Sequence, residues 1–324
     1  MDIRIFKKLL IERLITHDEF EKIQLHEQEP VSVHWDLRTL LYLGIVLLTT
    51  SLSILVYKNI DTIGHDVIVI AIALLCTACF WYSFKNANGY SNKKITSSNT
   101  WFDYILLMGC LLLLTFVGYL QFEYEIFGNR WGLATFIPMV PLFIAAYYFD
   151  HLGVLSLAIV TLATWIGISM TQLRFINDND FGSDRLIYSA IIFGYFLIAV
   201  AHLSVVRKVK AHFSFTYKNF GVHILMIGML TAMFSYDGIY MLWFLLLAIS
   251  CYLLYRKALV ERSFYFLVVT ILYAYVALSY VMIRLLSGSY GEYIYTLMLY
   301  FIFSGISLIW IFMHYNKKLK NGRI

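Results

Sequence analysis

The chain has 324 residues, of which 60% are hydrophobic and 14% are charged. Because soluble domains carry about a quarter charged residues, this composition excludes an ordinary water-soluble protein and requires lipid as the solvent for most of the chain. The formal net charge of +5 follows from where the loops place basic residues, as shown below. We therefore expect the lipid bilayer as a partner and no nucleic acid.

Residues 1–36 are the sizeable polar segment of the chain and predict a cytoplasmic amphipathic helical hairpin. Apolar residues recur at helical spacing up to Ile15, with charged residues between them. Thr16 and Glu19 then form a capping box, in which each side chain accepts a hydrogen bond from the backbone N–H of the other residue. The second helix should end before Pro30, because the residue preceding a proline avoids the helical conformation.

Ten apolar runs follow, so residues 37–313 are predicted to form a transmembrane domain of about ten helices. A run of about 20 apolar residues is long enough to cross the hydrocarbon core as a helix. The fold class is therefore all-α, a polytopic transmembrane helical bundle. For the pair of runs within residues 131–170, a re-entrant hairpin is the alternative. The ten runs lie near residues 37–57, 66–84, 102–120, 131–149, 152–170, 186–206, 220–235, 239–255, 263–283 and 293–313.

The basic residues indicate how this domain is oriented. With ten spans, most of the 25 basic residues fall on the same side as the N-terminus. Cytoplasmic loops are enriched in lysine and arginine, so both termini are predicted to be cytoplasmic, and residues 314–324 form a basic cytoplasmic tail. The exceptions, which fall on the outer side, are Lys58, Arg130, Arg174, Arg185 and Arg284.

The opening segment carries a family resemblance. Residues 9–23 comprise a leucine-rich helix, the turn Ile15-Thr16 and an acidic second helix, and the apolar runs begin shortly afterwards. This pattern resembles DUF2157, a bacterial family of predicted membrane proteins, although Leu14 stands where that family usually has a glycine. The resemblance implies a multi-pass protein of the bacterial inner membrane. It implies no activity, because none is established for the family.

Charged side chains are absent from the middle of all ten apolar runs. Ion pumps and ion-coupled carriers commonly place a carboxylate at this depth. The sequence therefore disfavours an ion-driven carrier, while a carrier for a neutral solute stays open. We predict no catalytic, cofactor-binding or metal-binding residue and expect no cofactor.

The histidines His202 and His223 are one pair of polar candidates. Each is expected about one helical turn below the cytoplasmic surface, on consecutive antiparallel helices. Such a pair could bind a metal ion or respond to pH near neutrality. Alternatively, each histidine bonds a carbonyl or reaches the interface, because two ligands are too few for a closed metal site.

Asp150 and His151 are a second pair of candidates, in the two-residue turn after the fourth apolar run. That run contains Pro138 and Pro141, and each proline removes a backbone donor and crowds the preceding turn. A broken helix would expose carbonyls that could line a cavity. The alternative is a kink that serves packing.

Two features are predicted on the outer side. Arg284 could meet an anionic lipid head group or a carbohydrate, or it could extend to the interface as an ordinary anchoring arginine. Residues 177–184 carry alternate carboxylates, as a calcium loop does, but the distal glutamate of that motif is missing. We interpret this segment as a solvated loop.

Small residues inside the runs are interpreted as packing residues. Cys76 and Cys79 form a C-x-x-C pair, but no basic neighbour stabilises a thiolate there. Several glycines are predicted to permit close approach of neighbouring helices: Gly109, Gly118, Gly167, Gly194, Gly228 and Gly305.

Three functions remain open. The first, which we favour, is a membrane scaffold or sensor that docks a cytoplasmic protein through residues 1–36. The second is a carrier or flippase for a neutral or lipid-linked solute. The third is a membrane enzyme acting on lipid or glycan, whose candidate residues would be Asp150, His151, His202 and His223. The shortage of polar groups in the spans favours a non-enzymatic role.

Overall fold

The computed structural model describes residues 34–58, 64–87, 89–94, 100–172, 182–286 and 293–320, which form ten α-helices and no strand. The predicted hairpin lies outside the described residues, except for residues 34–36, and so does the loop that was predicted on the outer side, up to residue 181. In chain order the helices are α1 (His34–Lys58), α2 (His65–Lys85), α3 (Thr100–Tyr124), α4 (Trp131–Phe149), α5 (Leu152–Gln172), α6 (Gly182–Val206), α7 (Ser214–Ser235), α8 (Tyr240–Val260), α9 (Phe264–Leu286) and α10 (Tyr293–Lys320).

These helices coincide with the ten apolar runs, and the predicted polytopic helical bundle is confirmed. Within the described residues, eight helices are long and apolar enough to cross a membrane. The other two are α1, whose apolar stretch Thr39–Leu55 is shorter, and α7. The total of ten spans therefore stays a prediction. Both α4 and α5 are among the eight, which favours two spanning helices over a re-entrant pair.

The position of α7 at the centre of the bundle explains its lower hydropathy. Twelve of its 22 residues are buried, and it packs against α5, α6 and α8. A helix that is surrounded by protein does not have to present an apolar surface to lipid. Polar residues such as Lys218 and His223 can therefore lie in α7 if neighbouring helices supply their hydrogen-bond partners.

Two large apolar clusters meet at the pair formed by α6 and α7. One cluster joins α3, α4, α5 and α6 with the start of α7, and the other joins α6, α7, α8 and α9. At the periphery, α2 packs on α3, α1 packs chiefly on α3, and α10 packs on α9. The apolar stretch of α10 is not buried at all, as expected for a helix that faces lipid.

The two prolines of the fourth run do not break its helix. Pro138 and Pro141 both lie inside α4, which continues without interruption from Trp131 to Phe149. Proline is tolerated in transmembrane helices because nearby groups satisfy the freed carbonyls. Of the two alternatives, the broken helix with exposed carbonyls is therefore wrong, and the kink that serves packing stays a prediction.

Glycines set the distance between α6 and α7. A Cβ atom added to Gly194 would lie 2.7 Å from the backbone nitrogen of Leu225, and one added to Gly221 would lie 2.9 Å from the carbonyl oxygen of Gly194. Gly109 and Gly228 are also closely packed, as predicted. The other three predicted positions, however, have open space around them: Gly118, Gly167 and Gly305.

The substitution Gly194→Ala should destabilise the bundle by about 1–3 kcal/mol, the usual cost of overpacking a tight interface. The added methyl group meets the backbone of α7, which cannot move aside as a flexible side chain would. The measurement is the melting temperature of the purified protein in detergent. Gly305→Ala is the control, because its methyl group enters open space and alanine favours a helix. Equal melting temperatures for the two variants would contradict this role of Gly194.

Candidate functional site at the basic end of the bundle

Successive helices run in opposite directions, so every second connection lies at the same end of the bundle. We call the end with the α2–α3, α4–α5, α6–α7 and α8–α9 connections the basic end. Polar contacts join these connections to one another: Lys210 donates its backbone N–H to the carbonyl oxygen of Asn92 at 3.0 Å, and Lys218 in α7 pairs with Glu261 after α8. The exposed basic residues here are Lys85, Lys93, Lys94, Arg207, Lys208, Arg256, Arg262 and Lys317.

Asp150 ends α4 in a left-handed conformation, with φ of 60°. Helices often end in this way, but usually with a glycine or an asparagine. This conformation is sterically unfavourable for a non-glycine residue. The conformation is maintained where the surrounding structure holds the residue in place. The Asp150 side chain is only 1% exposed, so the contacts of its carboxylate supply that support.

The carboxylate of Asp150 binds two cationic or ionisable partners from the α6–α7 connection. The Lys210 ammonium donates to Asp150 Oδ1 at 2.8 Å, and His212 Nε2 lies 2.7 Å from the same oxygen. The Lys210 side chain is completely buried, whereas that of His212 is 19% exposed. We call these three residues the Asp150 cluster. It ties the α4–α5 turn to the α6–α7 connection.

The backbone around Lys210 is also fixed by hydrogen bonds. Lys210 has a φ of 48°, and the Ser204 hydroxyl donates to the carbonyl oxygens of Val209 and Lys210 at 2.7 and 3.1 Å. The ammonium group lies 5.3 Å from the centre of the Tyr90 ring, within the range of a cation–π contact. Three connections therefore converge on this one lysine.

His151, the second candidate in the turn, caps α5. Its Nδ1 accepts a hydrogen bond from the backbone N–H of Val154 at 3.1 Å, which satisfies one of the free donors at a helix start. The other nitrogen, Nε2, lies 3.9 Å from Asp103 Oδ1, beyond hydrogen-bond distance. His151 is 5% exposed. Its burial and its hydrogen bond to the start of α5 indicate a structural role.

The predicted histidine pair is not joined by a hydrogen bond in the part of the chain that the structure describes. His202 is exposed on α6. His223 instead lies between two tyrosines of α9, with Nδ1 2.9 Å from the Tyr273 hydroxyl and Nε2 3.1 Å from the Tyr265 hydroxyl. Because Tyr265 donates to Asn219 Oδ1 at 2.6 Å, its oxygen is left to accept a hydrogen bond from His223 Nε2–H.

Arg284 lies at the opposite end of the bundle and has protein partners. It donates to Asp237 Oδ1 at 2.6 Å and to the Tyr280 hydroxyl at 3.1 Å. Its guanidinium carbon also lies 4.6 Å from the centre of the Tyr240 ring. Arg284 thus tethers α9 to the α7–α8 turn, and these contacts account for it without a lipid or carbohydrate ligand.

The five sequence candidates therefore do not form one site, although Asp150 and His151 share the α4–α5 turn. Sequence reasoning missed the partners of Asp150. The charge of Lys210 contributes to the basic bias that orients the bundle, but nothing in the sequence marks Lys210 or His212 as a partner of Asp150. No local pattern reveals them, because they lie 60 and 62 residues from Asp150 in the chain. Lys218 contributes to the same basic bias, yet it is buried and its ammonium lies 4.2 Å from the centre of the Phe266 ring.

The chemistry of the Asp150 cluster favours a structural role. The described residues contain no group of three histidine, cysteine, aspartate or glutamate side chains that could hold a metal ion. The Lys210 ammonium fills the position next to the carboxylate that a metal cation would need. Cys76 and Cys79 are free thiols, and Cys76 donates to the Gly109 carbonyl oxygen at 3.6 Å, which agrees with their interpretation as packing residues.

The family resemblance extends well beyond the opening segment. Residues 7–155 match the family model described as "Predicted membrane protein (DUF2157)". The resemblance is thereby confirmed. The match covers most of the predicted hairpin, α1 to α4 and the start of α5, and it includes Asp150 and His151 but not Lys210. The description of the family names no activity, and neither a curated protein nor a solved structure matches the chain.

Breaking the Asp150–Lys210 pair from one side should destabilise the protein by about 3–5 kcal/mol, the usual cost of leaving a buried charge unpaired. Asp150→Asn is suited to this test, because asparagine tolerates the left-handed conformation while removing the charge. The double variant Asp150→Asn with Lys210→Met should regain much of the loss, because neither charge then remains. The measurement is the melting temperature in detergent for both single variants and the double variant.

Asp237→Asn is the matched control, since it removes the partner of Arg284 in a pair that is largely exposed. The Asp237 side chain is 76% exposed, and exposed ion pairs contribute about 0–1 kcal/mol. A melting temperature that falls as much for Asp237→Asn as for Asp150→Asn would show that burial does not set the strength of these pairs.

Proposed function

We propose that this integral membrane protein is a scaffold or sensor whose helical bundle presents residues 1–36 to a cytoplasmic protein partner. The observation that carries the proposal is the cross-linking of the basic end. Its connections are joined by the Asp150 cluster, by the hydrogen bond from Lys210 to Asn92 and by the Lys218–Glu261 pair. Helix α1 begins at this end and contacts it through Tyr42, whose ring centroid lies 5.3 Å from that of Tyr104 and 6.3 Å from that of His151.

Buried ion pairs suit a scaffold better than a protein that must open and close. Separating Lys210 from Asp150 would leave charges in a poorly solvated environment, at a cost of several kcal/mol. The basic end is therefore expected to keep one arrangement. A fixed surface lowers the entropy cost of binding a partner, because little ordering remains to be done.

The alternative functions receive less support from the described residues. A carrier for a neutral solute needs a polar path, but the cavity between α1, α2 and α3 is lined predominantly by apolar atoms. An enzyme needs its acid, base or nucleophile in one place, but the candidate histidines are dispersed and the Asp150 carboxylate is neutralised by Lys210. The proposal accordingly remains a binding function without catalysis.

The basic end should face the cytoplasm of a bacterial cell, with the N-terminus and the C-terminus on that side, because basic loops are retained there. Arg130→Cys and Lys94→Cys test this at exposed positions on opposite ends of the bundle. In intact spheroplasts, a membrane-impermeant maleimide should label Arg130→Cys and should label Lys94→Cys only after permeabilisation. The reverse pattern would place the basic end outside and remove the basis for a cytoplasmic partner. The wild-type chain controls for labelling of the native cysteines, which are buried or half-buried.

Deletion of residues 1–30 should abolish the function while leaving membrane insertion intact. The measurement is complementation of a strain that lacks the gene, with the amount of inserted protein quantified in the same cells. A milder variant, Thr16→Ala with Glu19→Ala, removes the predicted capping box, and loss of a cap costs about 1 kcal/mol of helix stability. It should reduce complementation, whereas Thr16→Ser preserves a capping hydroxyl and should not. Full complementation by the deletion variant would overturn the proposal.

A further inference from the structure

A cavity of about 350 Å³ lies between α1, α2 and α3. It occupies the half of the bundle that is remote from the basic end, because it is formed by the second half of α1, the first part of α2 and the second half of α3. Its size falls within the range of small-molecule sites, about 300–1,000 Å³. It is lined by Thr49, Leu52, Ser53, Ile72, Leu112, Thr115, Gly118, Tyr119 and Phe122.

The lining of this cavity is suited to hydrocarbon. Its three short hydroxyl side chains each donate to a carbonyl one turn earlier in the same helix: Thr49 to Ile45, Ser53 to Thr49 at 2.9 Å, and Thr115 to Leu111 at 3.0 Å. These hydroxyl hydrogens are therefore already used. The remaining lining is mainly aliphatic and aromatic, so an acyl chain can enter without displacing a hydrogen bond.

The cavity is accessible from the lipid phase. Two of its lining residues, Leu52 on α1 and Phe122 on α3, are 37% and 63% exposed on helices that face the bilayer. Gly118 is also exposed, and no atom lies within 4 Å of the position where its Cβ would be. A chain can thus enter sideways from the membrane, between α1 and α3.

A polar rim borders the cavity at the end of α3. The Tyr119 hydroxyl, which belongs to a lining residue, lies 2.7 Å from His65 Nδ1. The same nitrogen lies 3.2 Å from Glu123 Oε1, and the His65 and Glu123 side chains are 35% and 29% exposed. Beside them, the Tyr124 hydroxyl donates to Asp66. The rim therefore holds the carboxylates of Glu123 and Asp66 together with two tyrosines and His65, near the start of α2 and the end of α3. Its carboxylates favour a positively charged group.

We propose that this cavity binds a zwitterionic membrane lipid whose head group carries an ammonium. One acyl chain occupies the apolar cavity. The ammonium pairs with Glu123 and Asp66 and lies close to the tyrosine rings, which attract cations. Lys58, exposed at the end of α1 on the same side, meets the phosphate. This site is independent of the proposed scaffold function, since it lies at the end of the bundle opposite the start of α1.

The test compares phosphatidylethanolamine with phosphatidylglycerol of the same acyl chains, added to the full chain in detergent. Bound lipid is counted by native mass spectrometry, and the melting temperature is recorded in parallel. Wild type should retain phosphatidylethanolamine in preference to phosphatidylglycerol. Gly118→Leu fills the cavity and should weaken lipid binding about ten-fold or more, a change equivalent to about 1.4 kcal/mol. Its melting temperature without lipid should match wild type, because the new side chain enters open space.

Controls separate the two parts of the site. Gly305→Leu adds the same side chain at an open position in α10 and should bind lipid as wild type does. Ser53→Leu fills the cavity from α1 and provides a second test should Gly118→Leu fold poorly. Glu123→Gln should remove the preference for phosphatidylethanolamine without abolishing lipid binding, whereas Glu125→Gln, at an exposed position nearby, should retain it.

Two results would overturn the proposal. If Gly118→Leu and Ser53→Leu both bind lipid as tightly as wild type, the acyl chain does not occupy this cavity. If wild type prefers phosphatidylglycerol, or Glu123→Gln leaves the preference unchanged, the rim does not recognise an ammonium. Deleting residues 1–30 should leave lipid binding unaltered, so failure of the scaffold proposal and failure of this one are distinguishable.

Discussion

A completely buried lysine constrains everything that surrounds it. The Lys210 ammonium has left water, and the cost of that transfer, several kcal/mol in a protein interior, is offset only where an anion and further hydrogen bonds meet it at close range. Asp150 provides the anion and must adopt a left-handed backbone conformation at the end of α4 to do so. The α4–α5 turn and the connections α2–α3 and α6–α7 are consequently joined at one residue, through its ammonium and its backbone N–H.

Elsewhere the helices are held by packing, because lipid supplies no hydrophobic force that drives one apolar helix against another. The tightest contact is between α6 and α7, where Gly194 and Gly221 let the two backbones approach. Polar bonds add to it at both ends of the bundle: Lys218 pairs with Glu261 near the basic end, and Arg284 pairs with Asp237 at the other. Helices α1 and α10 each pack chiefly on one neighbouring helix, α3 and α9 respectively, and lie at the periphery.

The helices could be predicted from the sequence because the hydropathy of a segment depends directly on whether lipid or water surrounds it. All ten apolar runs correspond to helices, including the pair joined by the two-residue turn Asp150-His151. The family resemblance, recognised from residues 9–23, extends to residue 155. What hydropathy cannot report is which polar groups meet. Lys210 has the same sequence signature as an exposed loop lysine, and its burial depends on an aspartate 60 residues earlier.

Other differences between prediction and structure also arise because local sequence does not specify which groups meet in the fold. The prolines of α4 indicated a possible break, but whether a helix breaks depends on neighbouring groups that local sequence does not specify. Gly118 and Gly305 looked like packing glycines, yet they face open space, whereas Gly221 was not singled out and contacts α6. Arg284 could be placed at the outer interface, but its partners Asp237 and Tyr280 come from the three-dimensional arrangement.

The Asp150–Lys210 pair also bears on how the chain enters the membrane. Its two members belong to connections on either side of the hairpin formed by α5 and α6, so they cannot meet until both of those helices are inserted. Until then Lys210 is a hydrated loop cation, and such cations bias which side of the membrane a loop stays on during insertion. The same side chain therefore first helps to set topology as a solvated charge and later becomes a buried tether. Burial comes last and makes that topology costly to reverse.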